Sequence, residues 1–359
     1  MKKTLLISSA LASGIIYSGS ALAQTTVSGS LDLHYKAMSF DGTGDGSIRG
    51  IGRESQLNVQ NKGKLNNGLD YAAGFSLEFD GTAQPTTLGT NGNAETREKE
   101  TISNENVYIN IIAGSTTLHM GIDHMQNSTT HSAPMIRNVL DDVAAGSAGM
   151  SATNQIGAKT KESMAVGILQ NIPGTGINVS ALYAPQAGFA GGSDQSAGNA
   201  AGPRNSSYEV GFVGTDPFGV KGAKVHAFRN KEKKSTTAAA DVEGTTYGVG
   251  YNFGQIAIGA DVHKTNRTTT TGTASVDMKN TMLSATFAAT KDITLGVVYN
   301  KNDIDGTVAD EKIKAVQVGY NLGPVVVTAE YADVENIDGV QTANISQGKQ
   351  ASVRLATKF

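Results

Sequence analysis

Cysteine and tryptophan are both missing from the 359 residues, proline occurs only 7 times, and charged side chains make up 17%. Without cysteine the chain has no disulfide framework, no thiol nucleophile and no thiolate metal site. It also lacks a P-loop, and its six histidines are scattered, so no zinc cluster and no cofactor is expected. The net charge is −3, and −5 once Lys2 and Lys3 are left out, with no large basic patch, which argues against nucleic acid as a partner. Beyond Gln24 no uncharged apolar stretch reaches the roughly 18 residues that a membrane-spanning helix needs.

What is present is glycine, 43 residues of it, and apolar residues that recur in short alternating runs. This is a strand period, not the stripe of an amphipathic helix, and it predicts an all-β chain. In "LDYAAGFSLEFD", Leu69, Tyr71, Ala73, Phe75, Leu77 and Phe79 share one face, while Asp70, Gly74, Ser76 and Glu78 lie on the other. "GTTYGVGYNFGQIAIGADVHK" repeats the design, with Tyr247, Val249, Tyr251 and Phe253 leading through a "GQ" turn to Ile256, Ile258, Ala260 and Val262.

The first 23 residues read as a targeting element. Lys2 and Lys3 precede an apolar middle, and "ALA" before Gln24 has the small-x-small pattern of a cleavage site. The expected division is 1–23 as a cleaved signal peptide and 24–359 as the folded chain. Export without cysteine fits a bacterial envelope protein that needs no disulfide.

About sixteen segments have the length and alternation of membrane-crossing strands. They lie near 25–40, 53–62, 69–80, 104–112, 116–124, 153–160, 163–185 (two strands about Pro173), 205–213, 220–232, 244–253, 255–266, 276–289, 292–302, 311–322, 325–335 and 349–359. Connections such as "AGS", "TDPFG", "FGQ", "TKD" and "NLGP" are tight, and those between are long and rich in Gly, Ser, Thr and Asn. Short turns at one end and long loops at the other predict a sixteen-stranded antiparallel transmembrane β-barrel, apolar outside and small or polar within. "KQASVRLATKF" alternates up to Phe359, so 349–359 is expected to pair with 25–40 and close the ring. With no tryptophan, the interfacial girdle must be Tyr and Phe.

The opening strand "TVSGSLDLHYK", the hairpin "SQLNVQNKGKLNNGLDYAAGFSLEFD", the pair "NVYINIIAGSTTLHMGID" and the terminal "VRLATKF" together resemble the general porins of Gram-negative outer membranes over the whole mature length. The resemblance implies a homotrimer of water-filled pores passing small hydrophilic solutes. Each pore would be narrowed by an inward-folded third loop, here about 125–152. Family constrictions set acidic residues of that loop against a basic wall. Asp141 and Asp142 are the acidic candidates, and His34, Lys36, Arg53, Lys62 and Arg354 the basic ones. Arg53 has the parity of lipid-facing Leu57 and would have to lie at the rim. The bland alternatives are a helix-capping or solvated acidic pair, and charges in the headgroup zone.

Phe359 matches the terminal aromatic that the family's barrel-assembly machinery recognises, and outer-membrane lipid and lipopolysaccharide are the implied surroundings. The second loop, 81–103, with "AETREKE", would latch a neighbouring subunit. The arginines that the family carries on its second to fourth strands are replaced here by Gln56, Asn58 and Gln60, and Ile122 stands where arginine often follows the glycine. A weak field with a mild cation preference follows. The other readings are a solute-specific channel with an aromatic or arginine ladder, a barrel protease using Asp141–Asp142 with Asp123–His124, and a surface adhesin. No ladder and no short fixed repeat is visible, and Asp123 and His124 cannot share a face of one strand.

Overall fold

The computed structural model describes residues 23–41, 46–81, 100–122, 125–136, 163–185, 206–233, 241–268, 275–305, 309–336 and 347–359. Sixteen strands occur in chain order: β1 (Gln24–Asp41), β2 (Gly46–Lys64), β3 (Asp70–Gly81), β4 (Glu100–Ala113), β5 (Thr116–Gly121), β6 (Ala165–Ile172), β7 (Ile177–Ala184) and β8 (Ser206–Thr215) form the first half. β9 (Ala223–Lys233), β10 (Val242–Asn252), β11 (Ile256–Thr268), β12 (Ser275–Ala288), β13 (Ile293–Ile304), β14 (Glu311–Asn321), β15 (Val325–Glu335) and β16 (Gln347–Lys358) form the second. Each pairs with its sequence neighbours, and β1 pairs with β16, so the antiparallel sheet is a closed barrel.

Closure joins the two strands expected to pair. Ser30 faces Lys358, Tyr35 faces Val353 and Asp41 faces Gln347 across the β1–β16 seam. The last residue extends it, because Phe359 and Gly29 exchange backbone hydrogen bonds of 2.7 and 3.0 Å. In hydrocarbon an unpaired N–H or C=O costs several kcal/mol, so a ring without an edge is the state in which strands of this length are stable there.

The burial pattern is inverted relative to a water-soluble sheet. On β14, Val316 is 54% exposed while its neighbour Gln317 is 2% exposed, and the alternation runs the length of the strand. Exposed Val249, Ile258, Leu283, Val297 and Val318 belong to the outer band. Two sets of exposed aromatics flank it: Phe218, Tyr251, Phe253, Phe287, Tyr320 and Phe359 toward the short turns, and Tyr35, Tyr183, Tyr208, Tyr247 and Tyr331 toward the long connections. Amphipathic rings favour the lipid headgroup level, which defines the girdle expected of Tyr and Phe.

Turn chemistry explains the short ends. Gly114 has φ of 60° in the two-residue link between β4 and β5, a conformation that costs glycine nothing. The β8–β9 turn contains Asp216, whose carboxylate accepts a 2.7 Å bond from the Gly222 N–H and one of 3.4 Å from Lys221. The backbone bond to Gly222, aided by Lys221, lowers the carboxyl pKa below its ordinary value of 3.8. What this turn gains is therefore present above that ordinary value and is lost as pH falls through the lower folded one. On β4, Asn106 takes φ of 51° at a bulge opposite Gly74 and Ser76, and its amide donates to Ser76 Oγ at 3.0 Å.

Two expectations change. The strand expected at 153–160 lies outside the described residues, and β5 pairs directly with β6, so the ring closes without it. The segment 163–185 does form two strands, joined by a turn at 173–176. The interior is also not uniformly small and polar. Met38, Met282, Val298, Ile313, Ala315, Ala332 and Val334 make a buried apolar cluster inside the barrel with Ala133. Among the described residues no helix is long and apolar enough to cross a membrane, which says nothing against crossing with strands.

Every strand in a closed ring is central, so proline anywhere in β16 removes a ladder bond. Val353→Pro is predicted to cost about 3 kcal/mol or more. In a semi-native gel of refolded protein, the compact heat-modifiable band is expected to fall sharply relative to the wild type.

Candidate channel lumen

Residues 125–136 form a strap along the inner wall. Gln126 Nε2 donates to Asn178 O at 2.9 Å and to Ser180 Oγ at 3.2 Å on β7. Ser128 donates to Glu209 of β8 twice, from its N–H at 3.0 Å and its hydroxyl at 2.5 Å, and Asn230 of β9 donates to Ser128 Oγ at 3.1 Å. The Ser132 and Ala133 N–H groups each donate at 3.0 Å to a different oxygen of Asp261 on β11. Ile136 N–H donates to Gln317 Oε1 of β14 at 3.0 Å, and the Gln317 amide donates onward to Glu330 of β15 at 2.8 Å. Twelve residues thus reach from β7 to β14, with most polar anchors on inward side chains of the wall.

The wall is shaped for this. A Cβ at Gly259 would stand 2.7 Å from Ala133 Cα, one at Gly250 would run into the Ser132 carbonyl, and one at Gly319 would come within 3.0 Å of Ile136. Glycine at these inward positions lets another backbone approach closely. Within the strap, Asn127 Oδ1 accepts from the Thr129 N–H at 3.0 Å and its hydroxyl at 2.6 Å, an Asx turn that bends the chain. Beyond it Ala133 and Met135 pack on the apolar cluster of the lumen, and Met125 packs on Ala165, Leu182 and Ala184 at the other end. Polar anchors set the register of the strap, and apolar burial adds area-proportional stabilisation.

The proposed site residues separate by parity. His34, Lys36 and Arg354 are on the inward face, and His34 faces Arg354 directly across β1–β16. Arg354 forms an ion pair with the buried Asp32 of β1, so its charge is largely matched. Lys62 has the inward register of Gln60, whose amide contacts the Tyr108 hydroxyl. Arg53 is the exception: it faces Leu33 on the outer surface, beside exposed Ile51, and does not line the lumen. It shares the parity of Leu57, and its pairing with Gly81, the last residue of β3, places it toward the long-loop end. Asp141, Asp142, Asp123 and His124 lie outside the described residues.

Several lumenal groups were not singled out from the sequence. Asp261, Glu209, His226 and His263 anchor or flank the strap, and "GADVHK" and "KVHAF" carried a usable signal, since each puts polar residues opposite the lipid-facing parity. The pairing of glycines Gly250 and Gly259 on adjacent inward positions was a second one. Among the described residues, the buried charged ones within the ring are mostly acidic: Asp32, Glu78, Glu209, Glu232, Asp261, Glu311 and Glu330 against Lys36. Among the described residues no group of three or more His, Asp or Glu is arranged to hold a metal ion.

Gly259→Val tests the seat of the strap. The added side chain meets the Ala133 backbone and not a movable side-chain end, so the strap is expected to lift while the sixteen strands stay paired. The expected result is an unchanged heat-modifiable band together with faster cleavage in the 125–136 segment under limited proteolysis.

Comparison with known proteins agrees with this architecture. An anion-selective porin from Comamonas acidovorans superimposes with a TM-score of 0.64 at 16% identity, covering 94% of this chain and 100% of that one. The outer-membrane OmpT of Vibrio cholerae gives 0.60 at 14% identity, covering 96% and 100%. A mutant Rh. blastica porin gives 0.55 at 14% identity, covering 94% and 100%. At such identities the likeness concerns the fold. No curated protein matches the sequence. The family model described as Gram-negative porin matches residues 8–339, nearly the whole barrel, and with the closed ring, apolar exterior and polar lumen it places this chain in the Gram-negative porin family.

Proposed function

We propose that this outer-membrane porin is a non-specific channel through which small hydrophilic solutes and ions diffuse, with a mild preference for cations, narrowed by the segment 125–152. The observation that carries the reading is the strap anchored to inward residues from β7 to β14, which occupies lumen that a plain barrel would leave to water. Its polar partners Glu209 and Asp261 lie on one side of the ring, and His34, Lys36, Lys62 and Arg354 lie on β1, β2 and β16 across it. Opposed charges across a narrow aqueous path make a transverse field that orders water and sorts solutes by size and dipole. Asp141 and Asp142 are assigned to the acidic side of this eyelet.

Selectivity follows from the balance of the wall. With Arg354 matched by Asp32 and buried acidic groups in excess, the lumen favours cations. Among the described residues the buried inward aromatics are Tyr108 and Phe228, on β4 and β9, too far apart round the ring to form a sugar ladder, which favours non-specific diffusion. No reaction is assigned to the chain, and it works without a cofactor.

The assembled form is proposed to be a homotrimer, exported with residues 1–23 removed and inserted through recognition of Phe359. The Vibrio cholerae protein of the same fold was solved in a trimer form. On the outer surface Lys264 and Lys279 face each other directly across β11 and β12, beyond the tyrosine level. Like charges opposed across a sheet are unfavourable unless an anion lies between, and lipopolysaccharide phosphate in the outer leaflet supplies one.

The test is planar-bilayer recording of refolded mature protein. Stable conductance in steps of three, with a reversal potential of cation sign well short of ideal selectivity, is expected. Absence of conductance from a correctly folded barrel would refute the channel, and an anion-signed potential would refute the account of its wall.

A further inference from the structure

Asp261 is the most heavily used anchor of the strap and the centre of a cluster that the diffusion function does not by itself require. Its carboxylate accepts the Ser132 and Ala133 N–H groups. Around it stand three imidazoles: His131 Nδ1 of the strap lies 3.6 Å from Oδ2, and His226 Nε2 of β9 lies 3.6 Å from Oδ1. His263, two residues along β11, meets the His131 ring edge-on with centroids 5.2 Å apart. Two of these rings are held from behind by hydroxyls, His226 Nδ1 by Ser132 Oγ at 2.7 Å and His263 Nδ1 by Thr246 Oγ1 at 3.0 Å. Their remaining nitrogens, His226 Nε2 and His263 Nε2, and His131 Nδ1, are buried without a hydrogen-bond partner.

Such an arrangement has two chemical readings, and the geometry separates them. A metal site needs donors converging on an empty point about 2 Å from each. Here they converge on a carboxylate whose two oxygens already hold the strap, so the centre is filled by an anion. An anion ringed by imidazoles responds instead to protons.

We propose that Asp261 with His131, His226 and His263 is a proton-sensitive latch, which positions the strap against the wall near neutral pH and lets it go in acid. The proposal rests on the reading of the strap as the constriction. One imidazolium beside Asp261 is matched by its charge. A second or third has no counter-charge among the described groups that face the cluster. From β9 the facing ionisable group is His226, from β11 Asp261 and His263, and from the strap His131. β10 presents Thr246 and Gly248, and β12 presents Asn280 and Met282. Glu209 of β8, the next carboxylate round the wall, is engaged by Ser128 and Asn230. Unmatched buried charge is relieved by admitting water, and water enters only if the strap leaves Gly250 and Gly259. Protonation of Asp261 itself acts in the same direction, since the neutral acid is a poorer acceptor for the two N–H groups.

Single-channel recording at about pH 7 and about pH 4 tests the latch, the interval over which imidazoles and then carboxylates titrate. The wild type is expected to be steady at the higher pH and, at the lower, to flicker with a time-averaged conductance reduced about twofold or more as the freed strap swings into the path. Asp261→Asn is expected to flicker already at neutral pH. The triple variant His131→Gln, His226→Gln, His263→Gln is expected to stay steady further into acid. A wild type that is steady throughout, or a triple variant that keeps the wild-type response, would overturn the latch while leaving the channel intact. No conductance at neutral pH would overturn the channel and the latch together. If the triple variant does not refold, His131→Gln, which lies outside the strands, should move the acid midpoint down, and an unmoved midpoint refutes the proposal.

Discussion

Backbone hydrogen bonding in hydrocarbon is the constraint on which the rest of this structure depends. A strand that crosses a membrane has to satisfy its N–H and C=O groups on both edges, and only a ring does this for all strands at once. With every neighbouring pair antiparallel, closure between β1 and β16 requires an even number of strands. It also fixes which side chains meet lipid, because the pleat alternates and the outer face has one solvent.

Closure leaves the protein with an interior that it must then fill or leave wet. The strap resolves this locally. Apolar Ala133 and Met135 cover the apolar cluster centred on Met282 and Ile313, and polar Ser128, Ser132 and Ile136 backbone or hydroxyl groups meet carboxylates and amides of the wall. The glycines beneath it bring the two backbones close enough for those bonds to be direct. A wall of ordinary side chains would have held the segment away and left Asp261 and Glu209 without these partners. Position, polarity and charge of the lumen are thus set by a few inward residues, while the outer band tolerates any apolar side chain of suitable depth.

The barrel was legible in the sequence because its signal is period-2 alternation, repeated sixteen times and reinforced by unequal connections. The β1–β16 seam is legible in "KQASVRLATKF" only together with the targeting segment, the even strand count and the unequal connections, since an alternating segment needs a partner on each edge but does not name it. The strand expected at 153–160, "TNQIGAKT", lies outside the described residues, and the ring closes by direct pairing of β5 with β6. Arg53 showed its outward parity in the sequence but was grouped with the wall on charge. The cluster of His131, His226 and His263 about Asp261 could not be read, because its members come from three segments up to 132 residues apart and meet only through ring closure and the path of the strap. Inward parity marks Asp261, His226 and His263 as lumenal, but it says nothing about neighbours round the ring or about His131, which lies outside the strands.

The central claim is that β2 separates water from lipid by parity, and the absence of cysteine makes this directly measurable. Single cysteines placed one at a time at Gln56, Leu57, Asn58, Val59 and Gln60 would be treated, in protein reconstituted in bilayers, with a membrane-impermeant maleimide. The account predicts labelling at Gln56, Asn58 and Gln60 and protection at Leu57 and Val59. Uniform labelling, or protection at the even positions, would contradict a water-filled barrel with a lipid-facing exterior.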